Sequence, residues 1–435
     1  MNMKETALSI LAMSVLALVV TAGAQTAPGG ATQPATCPIA FPSLEDQTPE
    51  SWFARAAAEI DSLPDAEAKS GVDKLIGIAR ADAGDFEGAK QHAEKVGLDQ
   101  RDEILSSVIL GYSRRQDIAA IKPVAEMIAN VRIRDNSLRR AVSVLCGKGR
   151  LAEALEVAAI ITEQWQRSKA LGLVAKKQAL AGRMEEAKAT VERIPHERAR
   201  GLFAQAIAKI ETVATSDSAT DGRDEGSETD RVEDILTGLA AARAREGKPD
   251  DSLRFAGRHD SQMRRATAYA SAAEALADQG DNPGAEKALR LAEEAAALEG
   301  DRSCKAIAYS RLTEARLKTG DVAGARQDLR NVLEINNHEP DTLRLEVGSF
   351  SASGKPALIG MRLRMGDVED ALAAARTPNG DFGWMDCYLI GLILAETGKM
   401  EDLAKFLPAL VSPAERIYAC TGVGAGLLAR KQAKS

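Results

Sequence analysis

Glycine marks the points in this chain where one run of helix-favouring residues ends and the next begins. Successive glycines of this kind are 65, 33, 65, 33, 40, 46 and 32 residues apart, and because 65 is close to twice 33, further turns are expected near Gln116 and Thr215. The glycines are Gly84, Gly149, Gly182, Gly247, Gly280, Gly320, Gly366 and Gly398. Glycine readily adopts the left-handed conformation that ends a helix, so this spacing predicts one helix pair about every 33 residues.

Apolar and small residues stand at fixed distances from these glycines. The eighth residue before each glycine is apolar, the seventh is mostly small, the fifth residue after it is small at seven of eight positions, and the ninth is apolar. Since residues four apart share a helix face, each repeat is predicted to be a first helix, a tight turn and a second helix. One pair cannot bury its own apolar face, so the pairs must stack into an open superhelix. The sequence therefore predicts an all-α solenoid.

Three stretches carry this pattern most clearly. They are ARADAGDFEGAKQHAEKV (79–96), LTEARLKTGDVAGARQDLRNVLEI (312–335) and MRLRMGDVEDALAAA (361–375). With a small residue midway in the first helix, Gly-Asp at the turn and Ala in the second helix, they resemble tetratricopeptide repeats, and the resemblance covers most of residues 50–430. It implies a superhelix whose concave wall, lined by the first helices, binds extended peptides or partner helices. Most repeats are one residue shorter than that family's 34, so HEAT-like and other helical pairs remain alternatives.

The amino-terminal residues have the pattern of a secretory signal. Lys4 is followed by an apolar run from Ile10 to Val20 and by Ala22-Gly23-Ala24, so residues 1–24 are predicted to be a cleaved signal peptide and 25–48 a flexible leader. No later segment is long and apolar enough to span a bilayer, and the mature protein is expected to be periplasmic or secreted, without stable membrane insertion.

Two segments interrupt the period. Residues 215–230 hold six acids against one arginine, and we interpret them as an acidic disordered loop rather than a calcium loop, since regularly spaced ligands and a closing glutamate are missing. Residues 336–356 are expected to form an irregular connection. The helical repeats are then predicted in three blocks: N-terminal at 49–214, middle at 231–335 and C-terminal at 357–430.

Composition and motifs argue against several functions. Aromatic residues make up 4% of the chain and its net charge is −7, both of which disfavour nucleic acid as a partner. The four histidines are isolated, and no metal-ligand, cofactor or nucleophile–base spacing stands out. Gly422-x-Gly424-x-Gly426 is interpreted as helix packing. The five cysteines are widely spaced, and Cys387 and Cys420, at equivalent positions of adjacent repeats, are predicted to be free and buried, as are Cys146 and Cys304.

A cation stands fifteen residues before successive turns. These cations are Lys69, Arg101, Arg134, Arg167, Arg200, Arg265 and Lys305, with Arg416 at the matching position of the last repeat. One interpretation is a basic ladder that receives an acidic partner. The other, which we favour, is that each cation binds the carbonyl end of the preceding helix and pairs with a nearby acid.

Candidate partner-binding residues follow from the expected concave wall. Positions six and two before each turn face that wall, and Trp384 and Tyr388 add an aromatic anchor beside it. The candidates are Lys176, Arg245, Glu274, Glu314, Lys318, Arg364, Trp384, Tyr388 and Leu392. The sequence thus favours a non-catalytic exported scaffold that binds protein or peptide partners. The alternatives are an envelope enzyme of helical superhelix type acting on a cell-wall polymer and a self-associating surface protein.

Overall fold

The computed structural model describes residues 48–60, 63, 66–215, 229–337, 340–347, 350–377, 382–410 and 412–433. The expected signal peptide and the leader up to residue 47 lie outside the described residues, as do Cys37 and His338. So does most of the acidic segment, of which Thr215 and residues 229–230 belong to helices.

The described residues contain 21 α-helices and one two-stranded sheet, as the all-α prediction requires apart from that sheet. In chain order the elements are α1 (Pro49–Glu59), α2 (Ala66–Asp82), α3 (Phe86–Ala93), α4 (Leu98–Arg115), α5 (Ile118–Met127), α6 (Val131–Gly147), α7 (Leu151–Ile160), α8 (Gln164–Leu180), α9 (Met184–Glu192), α10 (Glu197–Thr215), α11 (Thr229–Arg245), α12 (Pro249–Gly257), α13 (Gln262–Asp278), α14 (Asn282–Leu298), α15 (Arg302–Thr319), α16 (Val322–Ile335), β1 (Arg344–Val347), β2 (Phe350–Ser353), α17 (Lys355–Met365), α18 (Val368–Ala375), α19 (Trp384–Thr397), α20 (Met400–Phe406) and α21 (Pro413–Ala433).

These elements form two compact modules. The terminal module combines residues up to Leu105 with those from Asp381 onward, and the central module is Ser106–Gly380. Helices α10 and α11, on either side of the acidic segment, both belong to the central module and pack against each other. The boundaries between the modules therefore fall away from that segment.

The turns lie where the glycine spacing predicted them. All eight glycines have positive φ, from 70° at Gly247 to 91° at Gly366. The additional turn expected near Gln116 is also present, with Gln116 itself at φ 62° between α4 and α5. After Thr215, the last residue of α10, the chain leaves the described part of the structure.

An aspartate directly after several of these turns begins the second helix. Asp85 accepts a hydrogen bond from the backbone N–H of Gly88 at 3.0 Å. Asp321 accepts the equivalent bond from Gly324 at 2.9 Å. A side-chain acceptor at this position satisfies an N–H that the helix itself leaves unpaired, and so the Gly-Asp pair ends one helix and starts the next.

The residues at the four fixed offsets from the glycines form the core. Those eight and seven residues before each glycine, and five and nine after it, are buried throughout. In the central module the first helices pack side by side: α6 on α8, α8 on α10 and α11, α11 on α13, α13 on α15, and α15 on α17. In the terminal module, Gly77 and Gly391, each seven residues before its turn, lie against a neighbouring helix.

The segment expected to be an irregular connection contains a hairpin instead. Strands β1 and β2 pair antiparallel, with Arg344 opposite Ser353 and Leu345 opposite Ala352. Leu345 is 1% exposed, and the hairpin packs against α15 and α17. The segment between α16 and α17 therefore contains a partly buried hairpin rather than an irregular connection.

The two ends of the chain meet in the terminal module. Helix α21 packs against α19, α1 and α2. Trp52 and Phe53 of α1 are each 1% exposed, and Arg416 of α21 donates from Nε and Nη2 to Glu59 at 3.2 and 3.1 Å. In an open superhelix each terminal repeat contacts a single neighbour. The expectation of an open superhelix is therefore wrong in this module, because α1 covers α21.

Helices α19 and α21 approach closely through glycine. A Cβ at Gly422 would lie 2.2 Å from the carbonyl oxygen of Tyr388, and one at Gly426 would lie 2.2 Å from that of Leu392. Gly424 faces the ring of Phe53. The packing interpretation of Gly422-x-Gly424-x-Gly426 is confirmed.

We expect Gly422→Ala to lower the free energy of unfolding by about 1–3 kcal/mol, since the added methyl group forces two helix backbones apart. Denaturant unfolding of the full chain measures the change. Gly147→Ala is the matched control, because nothing lies within 4 Å of a Cβ at that exposed helical position. Equal stability of the two variants would contradict the close backbone contact.

Candidate functional site

Lys176 and Arg245 lie on neighbouring first helices of the central module. Helix α8 carries Lys176 and Lys177, and α11 ends at Arg245. A Cβ at Gly238 of α11 would lie 2.8 Å from Leu180 of α8, so the two helices are in close contact. Burial lowers the pKa of Lys177, and the charges of Arg245 and Lys176 lower it further. The ends of these two helices thus concentrate positive charge.

This positive charge has little local compensation. No carboxylate among the described residues forms an ion pair with Lys176, Lys177 or Arg245. Arg245 is exposed, and both lysines are half-buried. Groups that remain charged without a partner attract anionic groups from solution.

Glu274, Glu314 and Lys318 come together in a second group, on α13 and α15. Lys318 Nζ lies 2.8 Å from Glu274 and 3.5 Å from Glu314. Arg311 pairs with Glu314 and lies 3.6 Å from Glu274. Burial opposes the charge of Lys318, but the two carboxylates outweigh it and raise its pKa. Two acids and two bases therefore balance each other here, and Glu314, 4% exposed, belongs to the interior of the group.

The remaining candidates are not brought together with these groups. Arg364 is half-buried on α17 in the central module. In the terminal module, Trp384 is half-buried with its ring 5.0 Å from that of Tyr418. Tyr388 and Leu392 are only 2% and 9% exposed, because α21 packs directly on α19. The expectation that these two side chains face a partner is wrong.

Four of the eight cations before the turns make the carbonyl contact that we favoured. Arg167 donates from Nε to the carbonyl of Ile161 at 2.7 Å, and Arg200 donates to that of Ile194 at 3.1 Å. Arg265 makes the same contact six residues back, and Lys305 donates to a carbonyl near the end of α14 at 2.9 Å. Since these cations satisfy helix carbonyls, they are occupied within the fold.

The cysteine predictions are confirmed with one exception. Cys146, Cys387 and Cys420 are free and buried, and burial raises the pKa of Cys146 and of Cys420 to about 12. Thiols held protonated at neutral pH are poor nucleophiles. Cys304 is also free but is half-buried near the start of α15, where a hydrogen bond to Asp301 raises its pKa.

Arg316 is the centre of a charge network that the sequence analysis missed. Its guanidinium lies 2.5 Å from Glu293, 3.2 Å from Asp328 and 3.4 Å from Asp321. Asp328 is 1% exposed, and burial raises its pKa to about 7 despite the attraction of Arg316. Arg290 and Arg316 line an adjoining cleft of about 570 Å³ between α14 and the α15–α16 turn.

A repeated string could have revealed part of this network. Residues 79–89 and 315–325 share the pattern Ala-Arg-x-x-x-Gly-Asp-x-x-Gly-Ala. In the first copy, Arg80 pairs with Asp85 at 2.5 Å, as Arg316 pairs with Asp321 in the second. The arginine before the turn therefore holds the aspartate that caps the second helix. Glu293 and Asp328 add to this arrangement only in the second copy.

No known protein-family model matches the sequence, and no curated protein matches it significantly. Within the described residues, no group of three or more His, Cys, Asp or Glu side chains is arranged to hold a metal ion. In the same part of the chain, none of the helices has the length and apolar character needed to cross a bilayer.

Asp328 predicts a particular pH dependence of stability. Between its ordinary pKa of 3.8 and about 7, the folded protein keeps a proton that the unfolded chain has released, so the free energy of unfolding falls as pH rises through this range. Asp328→Asn removes this dependence and is expected to stabilise the protein at pH 8 more than at pH 4.5.

Denaturant midpoints at the two pH values measure this difference. Asp250→Asn is the control, because the Asp250 side chain is 93% exposed. If Asp328→Asn and Asp250→Asn change the midpoint equally at both pH values, the interpretation of Asp328 fails.

Proposed function

We propose that this chain is a non-catalytic binding protein that receives a protein or peptide partner on the exposed face of the first helices of the central module. In the tetratricopeptide-like superhelix that the sequence resembles, this face is the concave wall. A rigid layer of helices presents side chains at a regular spacing, which suits recognition of an extended or helical partner.

The observation that carries the proposal is the positive charge on α8 and α11, which no carboxylate of the described residues neutralises in an ion pair. Arg167, Arg200 and Arg316 are occupied by carbonyls and carboxylates of the fold. Lys176 and Arg245, at predicted partner-binding positions, have no such partner among the described residues. Holding like charges together costs stability, and an acidic partner offsets that cost.

The neighbouring group on α13 and α15 supports a partner that carries both acidic and neutral polar residues. Glu274 and Lys318 keep 18% and 42% of their side chains exposed while they pair with each other. A partner that crosses from α11 to α13 therefore meets a positive surface first and a balanced one next. This order favours a segment with acidic residues at one end and neutral polar residues beyond.

The proposal also includes export of the protein. The pattern of Lys4, the apolar run and Ala22-Gly23-Ala24 supports a signal peptide. The partner is then a protein or peptide of the periplasm or of the extracellular space.

Selection of a randomised peptide library on the full chain tests this function. We expect enrichment of acidic peptides, and a dissociation constant that rises with salt, because exposed charge interactions are screened. The double substitution Lys176→Glu with Arg245→Glu is expected to weaken binding about tenfold or more. Lys122→Glu on α5, where the lysine side chain is 66% exposed, is the matched control and keeps wild-type affinity.

Two results would count against the proposal. One is a selection without reproducible enrichment, and the other is equal loss of affinity in the charge-reversal and control variants. Release of soluble fragments from purified cell-wall polymer by the intact chain would favour the alternative, an envelope enzyme.

A further inference from the structure

Glu233, Thr237 and His259 form a hydrogen-bonded chain in the central module. His259 Nδ1 contacts Glu233 Oε2, and its Nε2 lies 3.2 Å from Thr237 Oγ1. Glu233 and Thr237 are four residues apart on α11, so both face the imidazole, which follows the end of α12. His259 is 1% exposed, Glu233 is 6% exposed and Thr237 is half-buried. His259, which is isolated in the sequence, therefore has two side-chain partners in the fold.

The hydroxyl of Thr237 is used differently from that of other helical threonines. Within a helix, the threonine hydroxyl ordinarily donates to the carbonyl four residues earlier. Six threonines of the described helices make this bond: Thr212, Thr215, Thr267, Thr313, Thr397 and Thr421. The hydroxyl of Thr237 instead lies against a ring nitrogen. Helix geometry alone does not account for this contact.

Glu233 determines which nitrogen of His259 carries the proton. Burial raises the pKa of Glu233, but the contacts of the carboxylate, of which the hydrogen bond with His259 is the largest, outweigh burial and lower the pKa. An ionised carboxylate is only an acceptor, so the neutral imidazole keeps its hydrogen on Nδ1 and leaves Nε2 to accept the hydroxyl proton of Thr237. Hydroxyl, imidazole and carboxylate then stand in the order that activates a nucleophile.

We propose that Thr237 is a nucleophile that accepts an acyl group from an activated ester. Its Oγ1 bonds to the acyl carbon while its proton passes to His259 Nε2. The bond from the acyl carbon to the leaving phenolate breaks, and the phenolate departs with the electron pair. Beside Glu233 the imidazolium is stabilised, and it then returns the proton to water. The product is one O-acyl threonine per chain, independent of the binding function proposed above.

Incubation of the full chain with p-nitrophenyl acetate tests this inference. Peptide mapping by mass spectrometry is expected to find acetyl-Thr237, formed together with p-nitrophenolate. Thr267 is the internal control, because it is also half-buried on a helix but donates to the carbonyl of Met263. We expect Thr237 to be acetylated at least tenfold more than Thr267.

Two substitutions distinguish chemistry from misfolding. Thr237→Val keeps the shape of the side chain and is expected to abolish the adduct at this position with unchanged circular dichroism. Thr237→Ser restores a hydroxyl and is expected to retain it. Labelling of Thr237 no greater than that of Thr267, or a folded Thr237→Ser variant without the adduct, would overturn the proposal.

Discussion

The close approach of helices through small side chains is the constraint on which the rest of the structure depends. A left-handed glycine follows eight of the first helices, and glycines such as Gly77 and Gly391 stand where a neighbouring helix approaches. Gly77 shows how tight this contact is, because a Cβ there would lie 2.8 Å from Ile104. Helices at this distance exclude water without large aromatic side chains, and so a chain with 4% aromatic residues can still form a core.

Some charged side chains of this protein stabilise the fold, and others are proposed to contact a partner. Arg167 and Arg200 each satisfy a carbonyl six residues back, and Arg80 and Arg316 each hold the aspartate that caps the next helix. Such contacts recur because the backbone leaves the same groups unpaired in every repeat. Lys176, in contrast, has no equivalent task among the described residues, which is why α8 and α11 carry the proposed binding surface.

Sequence periodicity revealed which face of each helix is buried and missed the contacts that depend on how closely two helices approach. The turn at Gln116 and the burial of Ile76 or Ala141 follow from local spacing, since one helix face must be covered. The pairing of Glu233 with His259 depends on where two helices cross, and the burial of Tyr388 depends on how near α21 comes. Neither follows from a period. The β1–β2 hairpin escaped notice because its strands are only four residues long.

The contact between α1 and α21 has a consequence for how the molecule assembles. Glu59 and Arg416 are 357 residues apart in the chain, so this pair can form only after nearly the whole polypeptide has been made. Until then Trp52 and Phe53 have no cover from α21, although they are among the first described residues to be synthesised. Contacts between residues so far apart in the chain form slowly. Until α21 has been synthesised, the exposed rings of Trp52 and Phe53 make the nascent chain prone to aggregation.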